Sequence, residues 1–233
     1  MSQESLKSLS GRFGRTLVLA PHPDDEVLGC GGTIARLAQS DGEVHVGIVT
    51  RGMAPQFSEA QVGQVLVEAE SAHARLGVAR THFLDLPAAR LDTVPRAELN
   101  AAVGALVSSV RPDTLFVPFV GDLHFDHGLV FDAAMVAARP RGQGGPMRIL
   151  AYETMSETNW AAPYLGPTFA PNVFVDIAEQ LDAKLEAFAC FASQRKPFPD
   201  ERSTEALTAL ALLRGATAHC YAAEAFVLVR EVF

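Results

Sequence analysis

Short apolar runs alternate with helix-spaced stretches along most of this chain, and that alternation restricts the folds open to it. The runs are RTLVLA (15–20), EVHVGIVT (43–50), THFLDL (81–86), TLFVPFV (114–120), MRILAY (147–152) and NVFVDI (172–177). Runs of this length that end at proline or a polar turn suit strands buried on both faces. Between them the spacing predicts helices. The first covers 27–39. Ser58 and Gln61 form a capping box for the second, whose face is Val62, Val65, Leu66, Ala69, Ala72 and Leu76 before Gly77. Pro95 suits the first position of a third, with Leu99, Val103, Leu106, Val107 and Val110 on one side. A fourth runs to about Ala138. Asp176 with Glu179 is expected to cap a fifth, and Ser203 to open a last one ending near Arg214–Gly215.

Strands alternating with helices imply an α/β domain whose mostly parallel sheet is covered on both faces. One domain is expected to take up residues 1–233, with about 1–13 as a flexible N-terminal segment. In a doubly wound sheet of order 3-2-1-4, strands one and four are neighbours where the order reverses. Ligands bind beyond the carboxyl ends of strands at that point. The segment 153–171 is too long for a simple connection, and its Asn159, Trp160 and Tyr164 are expected to shape substrate choice.

The chain has 19 basic and 27 acidic residues, a formal net charge of −8, and its basic residues do not gather. That balance argues against a nucleic-acid or anionic-membrane partner. Its three cysteines, Cys30, Cys190 and Cys220, are widely spaced. They suggest neither a disulfide framework nor a thiolate metal site. The first residues lack the apolar run of a signal peptide, and no stretch approaches the roughly 18 apolar residues of a membrane span. A cytoplasmic protein is expected, with a homo-oligomer left open.

The chemistry gathers in two loops. PHPDDEVLGCGG (21–32) leaves the first strand, and GDLHFDHG (121–128) leaves the fourth. Crowded carboxylates repel one another and lose hydration when buried, and a divalent cation removes both costs. His22 and Asp25 lie three apart across a turn stiffened by Pro23, and His127 can join them from the neighbouring strand. Two imidazoles and one carboxylate leave a position open for water, the pattern of a catalytic rather than a structural zinc. Asp24 is then placed to take a proton from that water. His124 can donate to an oxyanion or protonate a leaving amine, with Asp126 holding its other ring nitrogen. Blander roles exist for the same residues: adjacent aspartates cap helices, and a histidine in a turn can be a surface or capping residue. His45, His73, His82 and His219 lack comparable company and are read as structural or exposed. GCGG departs from the dinucleotide spacing and more simply lets a helix pack closely on the sheet.

PHPDDE after strand one and HFDHG after strand four resemble the LmbE/PIG-L family of zinc-dependent N-acetylglucosamine de-N-acetylases. The similarity extends to YET (152–154), FVDI with KLEAFACFASQ (174–194), and ALALLRG with YAAEAF near the C-terminus. The resemblance implies a Rossmann-like fold and one Zn2+ held by His22, Asp25 and His127. It further implies Asp24 as general base, and His124, partnered by Asp126, as oxyanion stabiliser. The substrate it implies is a small N-acetylated sugar conjugate. Two positions depart from the pattern. Val65 stands where many sugar-binding members carry arginine, with Arg51 a candidate replacement for the substrate contact. Asp122 and Leu123 stand where some members have tyrosine. The expected activity is removal of an N-acetyl group from an amino sugar. The alternatives are an amidase on a non-sugar N-acyl substrate, a metal-dependent sugar-binding module without catalysis, and a magnesium-dependent phospho-acceptor domain.

Overall fold

The computed structural model describes residues 9–140 and 145–233. The elements, in order, are β1 (Thr16–Ala20), α1 (Asp25–Gln39), β2 (Val44–Arg51), α2 (Glu59–Leu76) and β3 (Arg80–Pro87). A 3₁₀ turn at Leu91–Thr93 precedes α3 (Arg96–Val110), β4 (Thr114–Pro118), α4 (Phe125–Ala137) and β5 (Arg148–Tyr152). The remaining elements are β6 (Val173–Asp176), α5 (Leu181–Ala189), α6 (Thr204–Ala218) and β7 (Ala223–Glu231). The seven strands form one sheet of order β3-β2-β1-β4-β5-β7-β6. The first five are mutually parallel, and β7 runs antiparallel to both β5 and β6.

Alternation along the strands splits the core in two. Val18, Val46, Phe116 and Leu150 face α1, α2, α5 and α6, packing with Ile34, Ala69, Phe188 and Leu207. Leu17, Leu19, Leu115 and Val117 face α3 and α4, packing with Leu99, Val103, Val130 and Ala134. Both faces are therefore apolar, as a covered parallel sheet requires. Among the described residues, no helix is long and apolar enough to cross a membrane.

The caps show where local chemistry sets the boundaries. Ser58 and Gln61 form the expected capping box, and the Ser203 hydroxyl accepts from the Ala206 amide at 3.1 Å to start α6. Pro95 sits one place earlier than expected, as the residue before the first helical turn. Asp176 does not cap α5. Its carboxylate accepts from the Ala178 amide at 3.0 Å in a local turn, and α5 starts after Gln180. Helix α6 continues past Arg214–Gly215 to Ala218. At Gly215 a side chain would meet the Ala222 backbone at 2.7 Å, so glycine there lets α6 pass close to the incoming strand.

Strand β7 lies outside the expected elements. It opens with Ala, Glu and Ala, which favour helix, directly after a helix, and only its second half carries β-formers. Residues 9–13 are helical. Phe13 is buried and stacks on Phe116 at 5.9 Å between ring centres. The rest of the expected flexible segment, 1–8, lies outside the described residues.

Helix α1 carries GCGG, and its glycines permit close packing. A side chain at Gly29 would lie 2.3 Å from Cδ2 of Tyr152. That ring is buried, and its hydroxyl donates to the Leu19 carbonyl at 2.8 Å, so it has little room to yield. Gly29→Ala is expected to cost about 1–3 kcal/mol through overpacking. Urea unfolding checks this, and a midpoint equal to that of the parent would show that the ring moves aside.

Candidate metal centre and active site

Strands β1 and β4 pair in parallel, with Thr16 opposite Thr114 and Val18 opposite Phe116. The sheet order reverses between them, so the loops at 21–24 and 119–124 leave the same edge side by side. The geometry that follows is tight. His22, Asp25 and His127 each offer one ligand atom within 4.8 Å of the others. Asp25 Oδ2 lies 3.2 Å from His22 Nδ1 and 3.3 Å from His127 Nε2.

Two buried atoms in this group, Asp25 Oδ1 and His127 Nε2, have no hydrogen-bond partner. A buried polar atom without a partner is costly, and a metal ligand is one of the few explanations that removes the cost. The opposite ring nitrogens are fixed. His127 Nδ1–H donates to Asp122 at 2.8 Å, and His22 Nε2 donates to Asp126 at 3.1 Å. Each carboxylate holds its imidazole in the tautomer that leaves the other nitrogen turned toward Asp25. Asp122 is itself held by the Thr158 hydroxyl at 2.6 Å.

A second cluster of His22, His124 and Asp126 has the spacing of a metal group as well. Its acceptors are already used. Asp126 takes the backbone amides of Ala89 at 2.7 Å and Leu91 at 3.2 Å in addition to His22. His124 Nδ1 accepts from the Asp126 amide at 3.2 Å. The residues present therefore fit a divalent ion in the first group and not in the second.

These bonds correct one expectation. Asp126 does not hold His124; it orients His22. The Asp126 carboxylate is taken up by His22 and by two backbone amides, which leaves His124 outside its hydrogen bonds. His124 instead caps α4 with its own ring. Because Nδ1 accepts there, the ring proton resides on Nε2. Burial, with His22 close by, lowers the His124 pKa, and the ring is a neutral donor at pH 7.

Asp24 has the opposite surroundings. It precedes α1 with φ 109°, in the left-handed region, and its side chain makes no capping bond. Its carboxylate instead receives Arg202 at 2.7 Å. Burial drives the Asp24 pKa up, Arg202 opposes it, and the neighbouring Asp25 and Glu26 add to it, giving about 8. For His22 and His127 burial works downward but is outweighed. Hydrogen bonds to Asp126 and Asp25 raise His22 to about 9, and Asp25 and Asp122 raise His127 to about 10.

A cleft of about 360 Å³ opens above these groups. His22, Asp24 and His124 reach its floor, and Arg51, Glu157 and Arg202 are among its polar lining. Phe57, Val62, Val65 and Leu66 supply an apolar wall. Arg51 is half exposed and lies 3.7 Å from Asp85 at the edge of the cleft. Within 153–171, Glu157 lines the cleft and Thr158 supports Asp122. The residues singled out in the sequence lie elsewhere: Asn159 and Trp160 bond to Glu201, and Tyr164 is exposed. Asp122, Glu157 and Arg202 carry no sequence signal of their own. Asp122 could have been suspected from its place beside the second histidine motif, five residues before His127.

Residues 17–138 match PIG-L, described as GlcNAc-PI de-N-acetylase. The chain belongs to the PIG-L family. An uncharacterized deacetylase, YaiS, of Escherichia coli K12 is 32% identical over 185 residues, covering 75% of this chain and 88% of that protein. The 1D-myo-inositol 2-acetamido-2-deoxy-alpha-D-glucopyranoside deacetylase of Rhodococcus jostii RHA1 is 28% identical, covering 93% of this chain and 91% of that one. Among solved structures, the conserved protein TT1542 from Thermus thermophilus superposes with a TM-score of 0.73 at 29% identity. The match covers 94% of this chain and 96% of that one. Membership accounts for the mostly parallel sheet and for the two loops that meet at its centre.

Two outcomes follow for the metal group. With His22 raised to about 9 and His127 to about 10, both imidazoles carry protons at pH 7 that a bound ion displaces. Zinc added to metal-free protein in weak buffer is expected to release about two protons per chain, with apparent affinity rising with pH up to about 10. Titration calorimetry in buffers of different ionisation heat reads this, and zero release would contradict it. Asp122→Asn is expected to weaken zinc binding by about 10–100-fold, measured by competition with a chromogenic chelator.

Proposed function

We propose that this protein is a metal-dependent hydrolase removing the N-acetyl group from an N-acetylglucosamine-type amino sugar or its conjugate. The observation that carries the reading is the convergence of His22, Asp25 and His127 within 4.8 Å, with Asp25 Oδ1 and His127 Nε2 buried and outside any hydrogen bond, beneath a cleft that also presents Asp24 and His124. Support for the substrate class comes from the family description and from the acetamido-glucoside named for the Rhodococcus relative.

His22, Asp25 and His127 would hold the ion, and their donor set suits zinc while also accepting iron or cobalt. When bound, such an ion polarises a carbonyl oxygen and makes water acidic enough to attack at neutral pH. Asp24 takes the proton from the attacking water. The same carboxylate returns that proton to the departing amine once the tetrahedral carbon has formed. Arg202 fixes one Asp24 oxygen, so the carboxylate meets the water in one orientation. His124, neutral with its proton on Nε2, donates to the oxygen of the tetrahedral carbon as negative charge develops there. The C–N bond then breaks, leaving acetate and a free amine.

The apolar wall of Phe57, Val62, Val65 and Leu66 supports a second reading, an amidase acting on a non-sugar N-acyl compound through the same groups. Acetate release from a panel of N-acetylhexosamine derivatives and simple acylamides separates the two. Turnover of the acylamides alone would reject the sugar reading, and release from neither would reject both. Asp24→Asn is expected to retain metal and lose at least 100-fold in kcat, whereas His127→Ala is expected to lose the metal itself. Near-parental turnover by Asp24→Asn on the true substrate would remove Asp24 as the base.

A further inference from the structure

Glu26 and His73 are buried polar residues without a place in the chemistry above. Neither lines the cleft, and both are almost completely removed from solvent. An apolar pair of the same volume would pack as well and avoid the desolvation of a carboxylate. Their bonds show what the polar pair does instead. Glu26 Oε2 accepts the backbone amide of Asp24 at 3.2 Å, and Glu26 Oε1 accepts His73 Nε2–H at 2.9 Å. His73 Nδ1 shares a 2.8 Å hydrogen bond with the Thr81 hydroxyl. The chain of contacts thus runs from the loop after β1 through α1 to the last turn of α2 and on to β3.

The recipient of this support is the strained residue of the site. Asp24 holds φ 109° without a side-chain cap, a backbone state that survives only where surrounding contacts overdetermine it. Its carboxylate is held by Arg202 from across the cleft, and its amide is held from beneath by Glu26. We propose that the Glu26–His73 pair is a positioning device that locks the Asp24 backbone in its left-handed conformation and so aims the carboxylate at the attacking water. The role rests on the reading of Asp24 as base. Glu26 and His73 touch neither substrate nor metal; they act through Asp24.

A double-mutant cycle in the full-length, zinc-loaded protein tests this, using an N-acetylglucosaminide that the parent hydrolyses. Glu26→Ala is expected to keep one zinc per chain and a KM within about threefold, while kcat falls about 100-fold. In the Asp24→Asn background the same change is expected to lower the remaining rate by less than about threefold, because the group it positions is gone. Glu26→Gln keeps an acceptor for the Asp24 amide and is expected to recover most of the lost kcat. Equal losses in the two backgrounds, or an unchanged kcat in Glu26→Ala, would overturn the proposal. Should Glu26→Ala fail to fold, the paired change Glu26→Met with His73→Phe fills the space without polar atoms and carries the same expectations. Hydrogen exchange at the Asp24 amide gives a readout independent of turnover. It is expected to quicken at least tenfold when Glu26 is replaced, and unaltered exchange would overturn the clamp even if the parent proved inactive on every sugar. Such inactivity would itself sink only the deacetylase reading.

Discussion

The burial of Asp25 is the constraint on which the rest of the site depends. A carboxylate with no solvent exposure must be compensated, and here it lies at the start of α1 between two imidazoles. Burial pushes its pKa upward, yet His127 and His22 together hold it well below the ordinary carboxylate range. The arrangement is possible only because β1 and β4 are hydrogen-bonded neighbours whose following loops share an edge. Each imidazole is held in turn by a carboxylate of its own, Asp126 for His22 and Asp122 for His127. The two residues proposed for acid–base work flank it: Asp24 directly before Asp25, and His124 at the head of the helix that carries His127.

How much of this could be read beforehand varies with the distance over which each residue acts. The parallel core was legible because its strands are short apolar runs separated by helical periods, and the pairing of β1 with β4 follows from the order that such alternation favours. The cluster of His22, Asp24, Asp25, His124 and His127 was legible because it occupies two compact motifs directly after those strands. The role of Asp126 was not. Sequence proximity pointed to His124, whereas the hydrogen bonds of the carboxylate go to His22 and to two backbone amides from the segment after β3.

Longer-range partners left no trace at all. Arg202 meets Asp24 across 178 positions, from a segment rich in charge and proline that reads as an ordinary surface loop. His73 meets Glu26 across 47 positions and looks solitary on its helix. Strand β7 was hidden for a different reason, since its first residues favour helix and take extended form in pairing with β6. Local pattern thus reports what a residue does within its own element, and tertiary contact decides the remainder.

The position of β7 also bears on how the molecule comes into being on the ribosome. Among the described residues, strand β6 pairs with β7 alone, and β7 follows every other element in chain order. The residues of β3, β2, β1 and β4, with both histidine loops, all precede those of β7 in the chain. The outer edge of the sheet must wait for the segment that carries β7. A protein cut short before Ala223 would keep His22, Asp25 and His127 while leaving β5 without its antiparallel neighbour and β6 without a paired strand.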